Sequence, residues 1–345
     1  MHNIQIASKK IGIGHSVFII AEVGANFEHS FDKACEMIES AARCGVDAVK
    51  FQTYNPETNV TKTAPKFWDI EGTGSTQYEE QKDGLILDEG QYLRLREIAE
   101  KCGIIFFSSV CDEEGVDMLE RIGVPAYKLA SMEISNLPFL QYVASKGKPV
   151  LLSTGASEEK EVKEAVEAFF AEGNRDLILL HCVSNYPTST ANVNLARMAT
   201  LQKLFPDVPI GYSDHTLCSE TLPVLAGAVA LGARVLEKHF TFDSARPGYD
   251  HEISADYPLM KNIVAAVRIV EKSIGDPRIF PLASEDRVRL YGRRGVVSRM
   301  TIPAGTVIRR EHLIIKRPAT GIQPKELNDL LGRKTKVKIN EDEVI

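Results

Sequence analysis

At 345 residues the chain can bury a large core and still carry a small second domain. Its 41 Lys and Arg against 47 Asp and Glu leave a net charge of -6, which argues against a broad nucleic-acid surface, so any anionic ligand must meet a local cluster of cations. The N-terminus lacks the basic and apolar regions of a signal peptide, and no apolar run approaches the roughly 20 residues of a membrane span, so a soluble, cytoplasmic protein is expected.

Short β-branched or apolar runs recur at residues 17–23, 47–53, 104–109, 125–130, 149–154, 177–183, 208–213 and 234–240. Between most of them lies a helical pattern. Ala34, Met37, Ile38, Ala41 and Ala42 share one helix face closed by Gly45, and Asp88 with Gln91 forms a capping-box signal ahead of Tyr92, Leu95, Ile98 and Ala99. Eight strands alternating with helices predict a closed parallel (β/α)8 barrel with its active site at the C-terminal strand ends. The connection 54–87 shows no clear periodicity and exceeds the length of an ordinary loop, which marks it as a substrate-covering insertion. The last barrel helix stops at Gly275-Asp276-Pro277. These signals divide the chain into a barrel at 1–280, a linker at 281–290 and a β-rich module at 291–345, in which 302–308 is faintly echoed by 339–345. About 55 residues make a marginal core, so docking of this module on its own or a partner's barrel is expected. Six cysteines (Cys35, Cys44, Cys102, Cys111, Cys182 and Cys218) without a C-x-x-C pair fit a reducing compartment. Adjacent His181 and Cys182 should point to opposite faces of a strand, which favours a core role over shared metal ligation.

Side-chain alternation sorts each strand into two faces. Ala21 and Val23, like Val49 and Phe51, should pack on the outer helices, which sends Glu22, Lys50 and Gln52 into the barrel mouth; Glu237 and His239 share a face in the same way. Buried Lys and Glu are costly unless paired or used on a ligand. Lys128, Ser131, Glu133, Ser153, Thr154, Tyr186, Ser213 and His215 fall with them at or just past strand ends, which core packing would not require. For any one of these a structural ion pair is the bland alternative, and His215 and His239 could be satisfied loop histidines. Two imidazoles completed by water or substrate oxygens otherwise suit Mn²⁺, Mg²⁺ or Co²⁺ better than structural zinc.

The ordered segments Ile20-Ala21-Glu22-Val23-Gly24-Ala25-Asn26, Val49-Lys50-Phe51-Gln52-Thr53, Tyr127-Lys128-Leu129-Ala130-Ser131-Met132-Glu133, Leu152-Ser153-Thr154-Gly155, His181-Cys182-Val183-Ser184-Asn185-Tyr186-Pro187, Gly211-Tyr212-Ser213-Asp214-His215-Thr216, Glu237-Lys238-His239-Phe240-Thr241 and Lys316-Arg317-Pro318 resemble those of the sialic acid synthase (NeuB) family. The resemblance implies a barrel followed by an antifreeze-like (SAF) domain that caps the partner's site in a domain-swapped homodimer. It implies condensation of phosphoenolpyruvate with an N-acetylmannosamine-type sugar to a nine-carbon 2-keto acid and phosphate. On the matching positions, His215 and His239 become the ligands of Mn²⁺. Lys50, Ser109, Lys128, Ser131, Ser153, Ser184 and Ser213 would hold phosphoenolpyruvate, and Glu22, Gln52, Glu133, Tyr186, Asp250 and Arg317 the sugar, Arg317 reaching across from the second subunit. Glu22, Lys50 and Glu237 are the candidate catalytic groups.

The chain departs from the family pattern at Asn26-Phe27-Glu28-His29-Ser30, where Asn-His-x-Gly is usual. It departs again at Ser108-Ser109-Val110-Cys111, at Ser184, where some members carry Asn, and at Lys316-Arg317-Pro318-Ala319. Alternatives are a synthase for a phosphorylated mannosamine, or for the diacetamido-trideoxy sugars of legionaminic or pseudaminic acid. A barrel metal hydrolase is disfavoured because Glu22 and Asn26 stand where an H-x-H motif would be needed. A non-catalytic polysaccharide-assembly protein is disfavoured by the retained Lys50, Lys128, His215 and His239.

Overall fold

The structure, a computed structural model, describes residues 2–67, 75–83 and 87–345. The chain divides into two compact units, Met1–Gly275 and Asp276–Ile345.

The first unit opens with a hairpin, β1 (Ile4–Ile6) and β2 (Lys9–Ile11), whose three-residue strands are too short to carry a periodicity signal. Ile4, Ile6 and Ile11 join the main core, Lys9 pairs with Asp47 at 2.6 Å, and the His2 amide donates to the Asp207 carbonyl. Asp47 and Asp207 precede barrel strands, so the hairpin closes the end of the barrel opposite the expected site.

Eight parallel strands then form the closed barrel: β3 (Phe18–Gly24), β4 (Ala48–Gln52), β5 (Ile105–Ser109), β6 (Tyr127–Leu129), β7 (Val150–Ser153), β8 (Leu177–His181), β9 (Ile210–Asp214) and β10 (Val235–His239). They lie in chain order, and β10 closes on β3. Local chemistry frames the helices as the sequence predicts. Ser30 caps Phe31–Cys44, whose C-cap Gly45 is left-handed, and the Asp88–Gln91 capping box opens Glu89–Lys101. Gly211 sits where β9 is squeezed between neighbours: a Cβ there would meet Leu180 Cδ2 at 2.5 Å and the Val235 carbonyl oxygen at 2.6 Å. Glycine is what lets these strands close up.

The connection after β4 has more local order than its lack of periodicity suggests. Among its described residues, Pro56–Asn59 is a helix capped by Asn55, Gln77–Asp83 is a second helix, and Pro65 bridges Thr76. Both helices are too short for an apolar repeat to register. Gly72 and Gly74 lie outside the described residues.

The second unit pairs β11 (Gly295–Ser298) with β12 (Leu313–Lys316) antiparallel over a small core of Val296, Ile308, Leu313, Leu327 and Leu330. The two segments that echo one another meet: Ile302 and Ile339 exchange backbone hydrogen bonds across an antiparallel bridge. The stretch before β11 holds short helical turns at Ala283–Glu285 and Val288–Gly292. Ile279, Phe280, Leu282, Val288, Leu290 and Tyr291 along it are exposed.

All six cysteines are free thiols, and no helix among the described residues is long and apolar enough to cross a membrane.

Candidate active site

Strand register brings the predicted polar residues together. Glu22 stands level with Lys50 across β3 and β4 and with His239 across β10; Gln52 is level with Ser109, Ser109 with Lys128, and Glu237 with Ser213. Since levelled residues on parallel strands project to the same face, the barrel lumen receives a charged layer near its C-terminal end.

That layer is closed by direct contacts. Lys50 Nζ lies 2.6 Å from Glu22 Oε2 and 3.9 Å from Glu237 Oε2, while Lys128 Nζ lies 3.9 Å from Glu237 Oε1. Lys128 also donates to Ser153 Oγ at 2.7 Å, Ser213 Oγ to Glu237 Oε1 at 2.9 Å, and Gln52 Nε2 to Glu22 Oε1 at 3.1 Å. All four charged groups are at most 5% exposed, so each depends on the others. Burial pushes Glu22 up to about 7, against the pull of Lys50 and with the help of Glu237. Glu237 behaves oppositely: against the same burial, Lys128 and Lys50 hold it below the usual carboxylate range. Burial lowers Lys128, whereas Glu22 and Glu237 overcome burial and raise Lys50.

Beside the lysines lies a cradle of hydroxyls. Ser131 Oγ accepts from the Gly155 amide at 2.9 Å and lies 3.2 Å from Cys182 Sγ. A Cβ on Gly155 would meet Ser184 Oγ at 2.4 Å, Ser131 Oγ at 2.8 Å and Cys182 Sγ at 2.9 Å, so Gly155 keeps this corner open. His181 turns the other way, to the Val193 carbonyl at 2.8 Å, which is the alternation expected of the His181–Cys182 pair. Cys182 itself faces the lumen, a placement that strand parity could have given.

The two histidines meet on the other side. Their ring centroids are 5.5 Å apart, and Tyr186 stacks on His215 at 4.2 Å. His215 Nδ1 lies 2.8 Å from the Val183 carbonyl, leaving Nε2 to face the site; His239 Nδ1 carries no hydrogen bond and lies 3.4 Å from Asp250 Oδ2. Burial lowers His215 to about 4 and His239 well below its ordinary value, with His215 adding to the latter. Two neutral buried imidazoles, one held by a backbone carbonyl and one without a partner, are donors a divalent cation could use. Among the described residues no group of three or more His, Cys, Asp or Glu is set to hold a metal, so further ligands would have to be water or substrate.

The remaining expected residues divide. Asp250 joins the site through His239, its amide donates to Asn26 Oδ1 at 3.2 Å, and burial pushes its carboxyl up to about 6. Ser109 lies at the rim, donating to the Phe51 carbonyl at 3.5 Å. Glu133 is not brought into the charged layer: its carboxylate accepts from Asn136 and its electrostatic neighbour is Asp112, because the chain turns at Ser131–Glu133 just past β6. Arg317 is exposed on the second unit, directly after β12.

Two features were not anticipated from the sequence. Asn26 donates to the Phe240 carbonyl and to Ser254, tying the first loop to the segment that carries Asp250. Asp214 and Lys238, on the outward face, form a buried 2.6 Å pair; Asp214 also accepts from Tyr212, Thr216 and Thr221, and Lys238 donates to the Thr216 carbonyl. This network braces the segment leaving β9 that carries His215.

Fold and lumen together define a (β/α)8-barrel enzyme with a charged anion site beside a pair of histidines. The NeuB family profile matches residues 37–278 and the SAF domain profile residues 293–345. The N,N'-diacetyllegionaminic acid synthase of Legionella pneumophila is 40% identical, covering 96% of this chain and 94% of its own. A protein of Methanocaldococcus jannaschii described as uncharacterized is 41% identical over the whole of this chain and 98% of its own. The crystal structure of an N-acetylneuraminic acid (sialic acid) synthetase from Leptospira borgpetersenii matches with a TM-score of 0.74 and 34% identity, covering 83% of this chain and 94% of that one. The chain therefore belongs to the NeuB family and is an enzyme of its synthase type.

Proposed function

We propose that this enzyme condenses phosphoenolpyruvate with N-acetylmannosamine or a close analogue, giving a nine-carbon 2-keto sugar acid and phosphate. The observation that carries the reading is the lumen arrangement in which Lys50 and Lys128 flank Glu237 beside a cradle of serine hydroxyls. Buried cations with hydroxyls around them suit the phosphate and carboxylate of a small, highly charged anion.

In this reading Lys50, Lys128, Ser131, Ser153, Ser184 and Ser213 hold phosphoenolpyruvate, with Ser109 at the rim, and displace the internal pairing of the charged layer. Tyr186, Gln52 and Asp250 position the open-chain sugar against it. Glu133 keeps its proposed place near the sugar only if the sugar extends beyond the charged layer. His215 and His239 would hold the divalent ion, Mn²⁺ first, with Mg²⁺ or Co²⁺ as alternatives. Bound there, the ion would supply positive charge to stabilise the negative charge that develops on the aldehyde oxygen.

C3 of the enol forms the new bond to the aldehyde carbon, whose oxygen gains a proton. Water adds at C2 and gives up one proton, and as the C2–O bond to phosphate breaks the new hydroxyl passes its own proton to the departing phosphate, leaving the ketone. Glu22, raised towards neutrality and 2.6 Å from Lys50, is placed to move these protons, and the anionic Glu237 to stabilise the cationic character that develops at C2. The test is the mass of the product formed from phosphoenolpyruvate with each candidate acceptor: one acceptor should yield the summed nine-carbon acid, and pyruvate alone would reject the reading. A diacetamido-trideoxyhexose is the second acceptor to try, because the Legionella relative is named for a diacetylated product.

Gly155→Ala should raise KM for phosphoenolpyruvate by tenfold or more, since the methyl group enters the Ser131–Ser184 cradle, while KM for the sugar stays within about twofold. Steady-state kinetics with each substrate varied checks this; equal effects on both would place the cradle elsewhere.

We also propose that the enzyme works as a domain-swapped homodimer in which Arg317 serves the partner's site. The exposed apolar run from Ile279 to Tyr291 supports a covering partner. Mixed dimers of an Arg317→Ala chain and a Lys50→Met chain should regain one working site in two; no recovery on mixing would place Arg317 in its own chain's site.

A further inference from the structure

A cavity of about 850 Å³ is walled by Phe67, by residues 184–187 and by residues 244–250, 252 and 253, and so includes Tyr186 and Asp250. It is the space an acceptor sugar would fill. Its wall is mixed, with Phe67, Tyr186, Tyr249 and Ile253 beside the carboxylates of Asp250 and Glu252. Among the described residues lining it, Arg246 is the one Lys or Arg.

Arg246 is not a spare cation. Its guanidinium lies 2.8 Å from Glu28 Oε2, the same oxygen that Lys33 Nζ approaches to 2.7 Å, and Glu28 Oε1 lies 3.3 Å from His251 Nε2. The Glu28 side chain is 14% exposed and that of Arg246 49%, so the carboxylate end of the pair is the shielded one. Glu28 stands in the first loop, at φ 49°, where this chain departs from the usual family pattern. The next residue, His29, hydrogen-bonds the Tyr249 hydroxyl, with ring centroids 5.7 Å apart. The first loop thus pins the cavity wall at three points: Arg246 through Glu28, Tyr249 through His29 and the Asp250 amide through Asn26. Among the lining residues Arg246 stands against the carboxylates of Asp250 and Glu252, so the wall's own side chains carry an excess of negative charge.

We propose that this cavity takes an uncharged acylamino sugar and rejects its phosphate ester, and that Glu28 is the specificity-determining residue because it occupies the one lining cation. The inference rests on the synthase reading above. A phosphate dianion would enter a wall of net negative charge and would have to compete with Glu28 for Arg246, whereas hydroxyl and acetamido groups meet no such cost.

The test compares N-acetylmannosamine with N-acetylmannosamine phosphate as acceptors, by phosphate released from phosphoenolpyruvate, in wild type, Glu28→Gln and Glu28→Asp. Wild type should favour the uncharged sugar in kcat/KM by at least roughly tenfold, about the worth of one charge-assisted hydrogen bond. Glu28→Gln, which frees Arg246, should shrink that ratio several-fold, mainly through a lower KM for the phosphate ester. Glu28→Asp, which keeps the charge and a side chain tolerant of positive φ, should retain the wild-type ratio. Preference of wild type for the phosphate ester overturns the proposal, as does an unchanged ratio in Glu28→Gln or an equal shift in Glu28→Asp. Calorimetric titration of the same two sugars without phosphoenolpyruvate separates this inference from the reaction. Selective binding of the uncharged sugar without turnover keeps the cavity assignment and rejects the synthase reading; binding of neither sugar rejects the cavity assignment itself.

Discussion

His215→Ala and His239→Ala are each expected to lower metal-dependent turnover by roughly a thousandfold or more while leaving a folded barrel. Both rings are buried yet little used in hydrogen bonding: the His215 ring makes one, to the Val183 carbonyl, and His239 Nδ1 has none. A histidine held for stability would be bonded at both nitrogens or packed in apolar surroundings. Here the cost to stability should stay near one hydrogen bond, about 1–2 kcal/mol, as thermal unfolding would report. Metal titration of the stripped variants gives the second readout, with binding weakened in each. Full activity in either variant after metal stripping would remove the metal assignment.

The second large effect is expected at Lys50. Lys50→Met leaves Glu22 and Glu237 buried with a single remaining cation, Lys128, and should cost about 3–5 kcal/mol of stability as well as abolish turnover. Adding Glu22→Gln to Lys50→Met removes one of the stranded charges, so the double variant should recover a large part of that stability without recovering activity. Such a split distinguishes a charge kept for a ligand from one kept for the fold. A single variant as stable and active as wild type would contradict the assigned role.

Much of the barrel and its lumen was legible because two simple periods carry the information. Strand alternation puts Glu22, Lys50, Gln52, Ser213, Glu237 and His239 on one face, and register makes that face the lumen. Helix ends at Ser30, Gly45 and Asp88 declare themselves by residue type. Parity fails once a strand ends: Glu133 lies two residues into a turn, and its direction is set by the turn and by Asn136. The hairpin β1–β2 and the two helices after β4 are too short to show a period. The Asp214–Lys238 pair was hidden because both residues fall on the outward face, where apolar packing is the default expectation. The opposite shifts of Glu22 and Glu237 depend on distances to two lysines on different strands, which no linear reading contains.

The most direct measurement is acceptor-dependent phosphate release from phosphoenolpyruvate carrying heavy oxygen at the bridge between C2 and phosphorus. The account predicts no release without an acylamino sugar, release with it that is lost to a chelator, and the label in the phosphate, since the C2–O bond breaks. Release without acceptor, or label retained in the organic product, would contradict it.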